Sequence, residues 1–216
     1  MIPGLITVLV VFAILMIGER IKKHERLNPE IARKFIHISV GSFVAFWPFF
    51  LNDNAIYLIC LAFVAVILFT RFSGLFPSIH KVPRKTWGDI LFPVGIAATL
   101  WLAADPWIFT AAILHLSLAD GFAALAGEKY GKTNGYKILG YRKTFAGNAA
   151  FFVISLAITT CLIWFEPGSF ASIAIPTLFL VPIFATTIES LSVRGSDNIL
   201  VPVLLTLLLN SLQSVA

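Results

Sequence analysis

The sequence predicts an all-α protein, a polytopic bundle of seven or eight transmembrane helices. Three observations point there. Of 216 residues, 58% are hydrophobic and 12% charged, and the mean hydropathy is +0.90; soluble domains are about half apolar and about a quarter charged. The apolar residues fall into eight stretches of membrane-helix length. The basic residues gather in alternate gaps between those stretches. Residues 1–216 read as one integral membrane domain without repeats or low-complexity tracts.

The candidate spans are 2–18, 35–51, 55–70, 88–104, 106–126, 147–165, 170–189 and 198–214. The first is apolar from its start, with Glu19, Arg20, Lys22 and Lys23 after it. A cleaved signal has the opposite order, so this segment is expected to be an anchor with its N-terminus outside. Before the second span, Asn28 can cap a helix whose first residue is Pro29. That helix starts ahead of the bilayer, and Glu30, Arg33, Lys34 and His37 share one of its faces. The joints at 51–55 and 104–106 are so short that each makes an antiparallel hairpin. The fourth span is entered through Arg84, Lys85, Gly88 and Asp89, followed by Phe92 and Pro93. The fifth contains Asp120, the seventh ends near Glu189, and Asp197 and Asn198 open the eighth.

Charge tests this layout. With the N-terminus outside, the gaps 19–34, 71–87, 127–146 and 190–197 face the cytosol and hold six, four, five and one Lys or Arg, all 16 in the chain. The outer connections hold Asp53, Asp105 and Glu166 and no positive charge. Such an asymmetry fixes orientation in an inner cell membrane, with the polar chemistry on the cytosolic side. It also accounts for the net charge of +5, because basic flanks attract anionic headgroups and no nucleic-acid motif accompanies them. Cys60 and Cys161 lie within apolar stretches and read as packing residues.

Asp120 is the most informative residue. A carboxylate inside an apolar helix costs about 2.5–3.5 kcal/mol on insertion scales unless it faces a polar cavity or a cation, and such residues commonly mark sites. The structural alternative is an acid paired with a nearby Lys or Arg. Ala123, Gly127 and Gly131 follow at four-residue steps, a small-residue ridge that permits close helix approach. Asp120, Ala124, Gly127 and Gly131 share a face, so the acid is expected to look along a groove of little bulk. The run from Gly127 through Lys132 to Thr133 is one residue short of a Walker loop and follows a helix, which excludes that motif.

Next, Arg142 and Lys143 stand at the entry to the sixth span. Thr144, Gly147 and Asn148 there supply a hydroxyl, bare backbone and an amide at a helix N-terminus, a setting that favours anions. The alternative is an orientation signal alone. Glu189, Asp197 and Asn198 join Asp120 as hard oxygen ligands suited to Mg²⁺ with bound phosphates, although Asp197 alone could be a helix cap. Arg33, Lys34 and His37 could clamp a phosphate or steer a proton, or form an exposed charged face. His24, His80 and His115 lack metal-ligand spacing and receive no role.

Taken in order, Arg33-Lys34 with His37, Gly88-Asp89 with Phe92-Pro93, Asp120 with Ala123, Gly127 and Gly131, Lys143-Thr144 with Gly147, and Glu189 with Asp197-Asn198 and Pro202 resemble the dolichol kinase, phytol kinase and CTP-dependent diacylglycerol kinase family. That family is related to the phosphatidate cytidylyltransferases. The segments span about 170 residues, and the short chain is most similar to the phytol-kinase type. The resemblance implies phosphoryl transfer from CTP to an isoprenoid alcohol or diacylglycerol. It makes Asp120 a metal or nucleotide-phosphate residue and Lys143 a phosphate contact, with the 189–198 region completing the site. Under this expectation Asp120, Glu189 and Asp197 hold Mg²⁺, while Asp120, Lys143, Asp197 and His37 carry the chemistry. Arg33, Lys34, Gly127, Gly131, Lys132, Arg142, Thr144, Gly147 and Asn198 bind the nucleotide. Asp197 and His37 are the candidates for a general base. The partners are then a nucleotide and a membrane lipid alcohol, and homo-oligomerisation is compatible with the sequence. Two rivals stand beside this reading. A cytidylyltransferase making a CDP-lipid lacks support because its longer C-terminal signature is absent. A transporter would place its polar residues near the midplane, often within repeats, and here they gather at one face.

Overall fold

In a computed structural model, residues 2–24, 29–73, 87–166, 168 and 170–216 are described. Among them, eight long helices follow the eight expected stretches: α1 (Ile2–His24), α2 (Pro29–Val44), α3 (Asp53–Ser73), α4 (Gly88–Leu102), α5 (Pro106–Tyr130), α6 (Phe145–Phe165), α7 (Ala174–Leu191) and α8 (Asp197–Gln213). The architecture is an all-α membrane bundle. α3, α5, α6 and α7 are each long and apolar enough to cross a membrane. The Asn28 cap, His80 and the Arg84-Lys85 run lie outside the described residues, and so do the side chains of His24 and Glu30.

Helix ends follow local chemistry. α2 stops at Val44, and a 3₁₀ turn, Trp47–Phe49, built around Pro48 replaces the rest of the expected span; proline lacks the amide of a helix interior and favours a break or kink there. Asp105 caps α5, its Oδ1 accepting from the Trp107 and Ile108 amides at 2.7 and 3.0 Å, with Pro106 at the first helical position. Asn52 Oδ1 accepts from the Ala55 amide at 2.9 Å at the start of α3.

α5 is the central helix. Buried positions make up 72% of its most apolar 18-residue stretch, against 22–33% in those of α3, α6 and α7. One side packs with α2, α3 and α4 around Phe109, Ile113 and Leu116; the other packs with α6, α7 and α8 around Ile108, Ala111 and Ala119. Lipid tails are as apolar as these side chains, so close fit and hydrogen bonds hold such helices together. A Cβ on Gly121 would lie 2.2 Å from Ile38, and one on Gly41 would lie 2.3 Å from Ser117. α2 therefore sits directly against α5. In the same way, a Cβ on Gly95 of α4 would meet the Asn198 carbonyl of α8 at 2.0 Å.

Two features depart from the expected helices. His115–Ala119 forms a π turn within α5, a device common near functional sites. There His115 is fully buried. Its Nδ1 donates to the Ala111 carbonyl at 2.7 Å and its Nε2 accepts from the Ser155 hydroxyl of α6 at 2.8 Å, so this histidine is a structural tie. The expected basic loop before α6 contains a β-hairpin: β1 (Gly135–Ile138) pairs antiparallel with β2 (Tyr141–Thr144), register Gly135↔Thr144 to Ile138↔Tyr141. Its two-residue turn has Leu139 and Gly140 at φ 49° and 82°, the left-handed pair that matches strand twist in tight hairpins.

Candidate active site

At the hairpin end of the bundle, residues from four helices and β2 come together. Lys34 of α2 reaches across 86 positions of sequence to Asp120 of α5, Nζ to Oδ2 at 2.6 Å, with both side chains buried. One turn further along α2, His37 Nε2 lies 3.0 Å from the Leu116 carbonyl and 3.5 Å from Asp120 Oδ2. A carbonyl only accepts, so Nε2 carries a proton and Nδ1 is the lone-pair nitrogen of the neutral ring. The π turn presents that carbonyl, and the Phe92 ring flanks His37 at 5.1 Å between centroids.

The second pair is Lys143 of β2 with Glu189 near the end of α7. The ammonium donates to Glu189 Oε1 at 2.5 Å and to its carbonyl at 2.7 Å. Asp197 opens α8, and its Oδ1 accepts from the amide and the side-chain Nδ2 of Asn198 at 3.0 and 2.9 Å. Asn198 Nδ2 also donates to the Gly195 carbonyl at 3.1 Å. Asp120, Glu189 and Asp197 act electrostatically on one another and on the two lysines. Taken as ionised, three carboxylates face two ammonium groups, three minus two leaving one negative charge in excess.

That excess bears on a metal. Among the described residues no three of His, Cys, Asp or Glu form a cage. Mg²⁺ ordinarily takes one or two carboxylates and completes its shell with phosphates and water, so a cage is not required. The contacts described use Asp120 Oδ2, Glu189 Oε1 and Asp197 Oδ1; none of the described residues hydrogen-bonds the second oxygen of any of the three. This donor set fits a hard cation shared with phosphates.

Other expected site residues have structural partners. The small-residue ridge is not an open groove. A Cβ on Gly127 would lie 2.8 Å from Thr144 Oγ1, one on Gly131 2.4 Å from Thr144 Cγ2, and one on Gly147 3.1 Å from the Ala123 carbonyl. The ridge seats the start of α6 against α5. Thr144 Oγ1 accepts from the Gly147 amide at 3.0 Å as the α6 N-cap, so the expected anion-binding amide is already engaged. Arg142 donates to the Gly131 and Lys132 carbonyls at 2.9 and 2.6 Å, closing the C-terminal end of α5. Lys132 and Arg33 are exposed at this same end.

The sequence reading missed three contacts. Arg194, at φ 56°, donates to the Tyr141 hydroxyl, and this bond raises the arginine's already high pKa. The Trp87 amide donates to the Arg194 carbonyl at 3.1 Å, bringing the entry of α4 to the same loop. Asn148 Nδ2 donates to the Tyr136 hydroxyl at 2.6 Å. Tyr136 and Tyr141, one on either side of Leu139-Gly140, were the available signal for the hairpin.

No family model and no solved structure matches this chain. One comparison is informative: the chain is 28% identical over 198 residues to a protein of Synechocystis sp., covering 88% of this chain and 82% of that one. That relative is a phytol kinase. The likeness extends over most of the chain.

Proposed function

We propose that this protein is a CTP-dependent, Mg²⁺-dependent kinase that phosphorylates the hydroxyl of a membrane lipid alcohol, an isoprenoid alcohol of the phytol or polyprenol type or a diacylglycerol, at the cytosolic face. The observation that carries this reading is the convergence of Lys34, Asp120, Lys143, Glu189 and Asp197 at one end of a membrane bundle. The likeness to a phytol kinase supplies the reaction class. The cytosolic assignment rests on the 16 basic residues of the alternate gaps.

Phosphoryl transfer needs positioning and charge neutralisation more than covalent help from the protein. The lipid oxygen attacks the terminal phosphorus, the bond to the bridging oxygen breaks, and CDP leaves. The hydroxyl proton passes to a basic group of the cluster, for which Asp197 and His37 are the candidates. Mg²⁺ held by Asp120 and Asp197, with Glu189 nearby, would neutralise charge on the donor phosphates. Lys34 and Lys143 stabilise the charge developing on the transferred group, preorganised by their carboxylate partners. Arg142, committed to helix-end carbonyls, keeps the hairpin in place so that Lys143 reaches the site.

Purified protein with Mg²⁺, labelled CTP and a panel of phytol, geranylgeraniol, a longer polyprenol and diacylglycerol tests the reading, with ATP as a competing donor. γ-Label should enter the lipid and CDP should accumulate. α-Label in the lipid with pyrophosphate release would replace the kinase by a CDP-lipid-forming transferase.

A further inference from the structure

The small-residue ridge beside Asp120 is filled by Thr144 and Gly147, so an acceptor lipid must reach the cluster another way. A groove of about 440 Å³ lies between α6, α7 and the hairpin, within the size range of small-molecule sites. Its apolar walls include Phe152 and Ile183; its polar lining is Tyr136, Asn148, Thr186, Thr187 and Ser190. Ile183 stands at 55% exposure on the surface of a membrane-spanning helix, so the groove opens toward lipid. Along α7, Ile183, Thr186 and Ser190 form one stripe at helical spacing, about 10 Å long at 1.5 Å per residue. The stripe ends beside Glu189, which holds Lys143.

Two details define the occupant. Hydroxyls in apolar helices commonly bond back to the carbonyl four residues earlier, as Thr187 does to Ile183 at 2.8 Å. Thr186 Oγ1 does not: it is buried and hydrogen-bonds none of the described residues. The same is true of polar atoms of Ser42, Trp47, Thr99 and Thr177, but of these five Thr186 alone lines the groove. A buried hydroxyl left so lacks a partner that a ligand can supply. Moreover, no charged side chain lines the groove, which disfavours a carboxylate or phosphate terminus and suits a neutral one.

We propose that this groove is the acceptor site, holding the aliphatic chain of a lipid alcohol along Ile183 and Phe152 with its hydroxyl end at Thr186 and Ser190, beside the Lys143–Glu189 pair. The assignment rests on the kinase reading for the use of that hydroxyl, but it makes a separate binding claim.

The test uses full-length protein in phosphatidylcholine nanodiscs and an isoprenoid alcohol carrying a diazirine near its hydroxyl. Photolysis should place adducts on residues 183–190 or Phe152. Unlabelled alcohol should compete; the same hydrocarbon without the hydroxyl should not. Ile183→Trp, at an exposed position, should block labelling in protein that remains monodisperse. Thr186→Val should raise KM for the alcohol several-fold and leave KM for the nucleotide unchanged. Adducts only elsewhere, in protein that still transfers phosphate, would overturn the groove and leave the kinase reading intact. Competable groove adducts without phosphate transfer from CTP or ATP would do the reverse. Labelling that the alcohol cannot displace would also overturn the groove.

Discussion

The two ends of the bundle solve the same problem, polar groups at the edge of an apolar solvent, in different ways. Opposite the hairpin, polar side chains serve neighbouring backbone or a neutral amide. Asn52 and Asp105 cap helices, Asn210 donates to the Leu102 carbonyl at 2.7 Å, and Gln213 donates to Asp105 Oδ2 at 2.6 Å. At the hairpin end, charge meets charge between elements distant in sequence, and several carboxylate oxygens hydrogen-bond none of the described residues. The first end is closed on itself. The second spends buried charge on an arrangement that a ligand can still complete.

The contrast can be broken most directly at Asp120. Asp120→Asn should lower phosphoryl transfer by about 100-fold or more, as expected when charge that orders a transition state is removed. It should also destabilise the protein by about 3 kcal/mol, because Lys34 is left buried without its partner. Activity within a few-fold of wild type at saturating Mg²⁺ would make Asp120 a structural acid.

A double change separates the two roles. Lys34→Met with Asp120→Leu should recover most of the lost thermal stability in detergent, since an apolar pair often replaces a buried ion pair without penalty. Activity should stay lost. Recovery of both would show that the pair only holds α2 to α5.

Glu189→Gln should have a smaller effect, about tenfold on activity and about 1 kcal/mol on stability, because the Lys143 side chain keeps 17% exposure and can turn to water. At the opposite end, Asp105→Ala should cost about 1 kcal/mol as a lost N-cap and leave turnover unchanged. An equal loss of activity there would erase the difference between the ends. To assign each end to a compartment, single cysteines at 53, 137 and 166 in a background lacking Cys60 and Cys161 can be probed with an impermeant thiol reagent. Labelling from outside is expected at 53 and 166 and not at 137.

Much of this was legible in the sequence, for identifiable reasons. Helix positions follow from long apolar runs, and the start of α2 from Pro29. Asp120, Lys143, Glu189 and Asp197 stood out as charges beside or inside such runs. Their partners did not, because nothing local to Lys34 specifies a residue 86 positions away. The glycine ridge read equally as a groove or a packing seam, and only the placement of Thr144 decides between them. Leu139-Gly140 sat inside a basic segment whose charge drew attention to orientation and away from pairing. Thr186 lay unnoticed among apolar neighbours because a single threonine in a membrane helix ordinarily bonds its own backbone.

The π turn in α5 has one more implication. An extra residue in a helical ladder advances the phase by about 100° at 3.6 residues per turn. The two halves of α5 therefore run out of step. The Pro106 half follows one angular sequence, and the half beginning at Asp120 follows another. A single rod thus presents side chains in an order that no uninterrupted α-helix could match, with Asp120 aimed at Lys34 while His115 remains aimed at Ser155. Removing one residue from this turn would rotate the acid away from its lysine without altering any residue of the cluster.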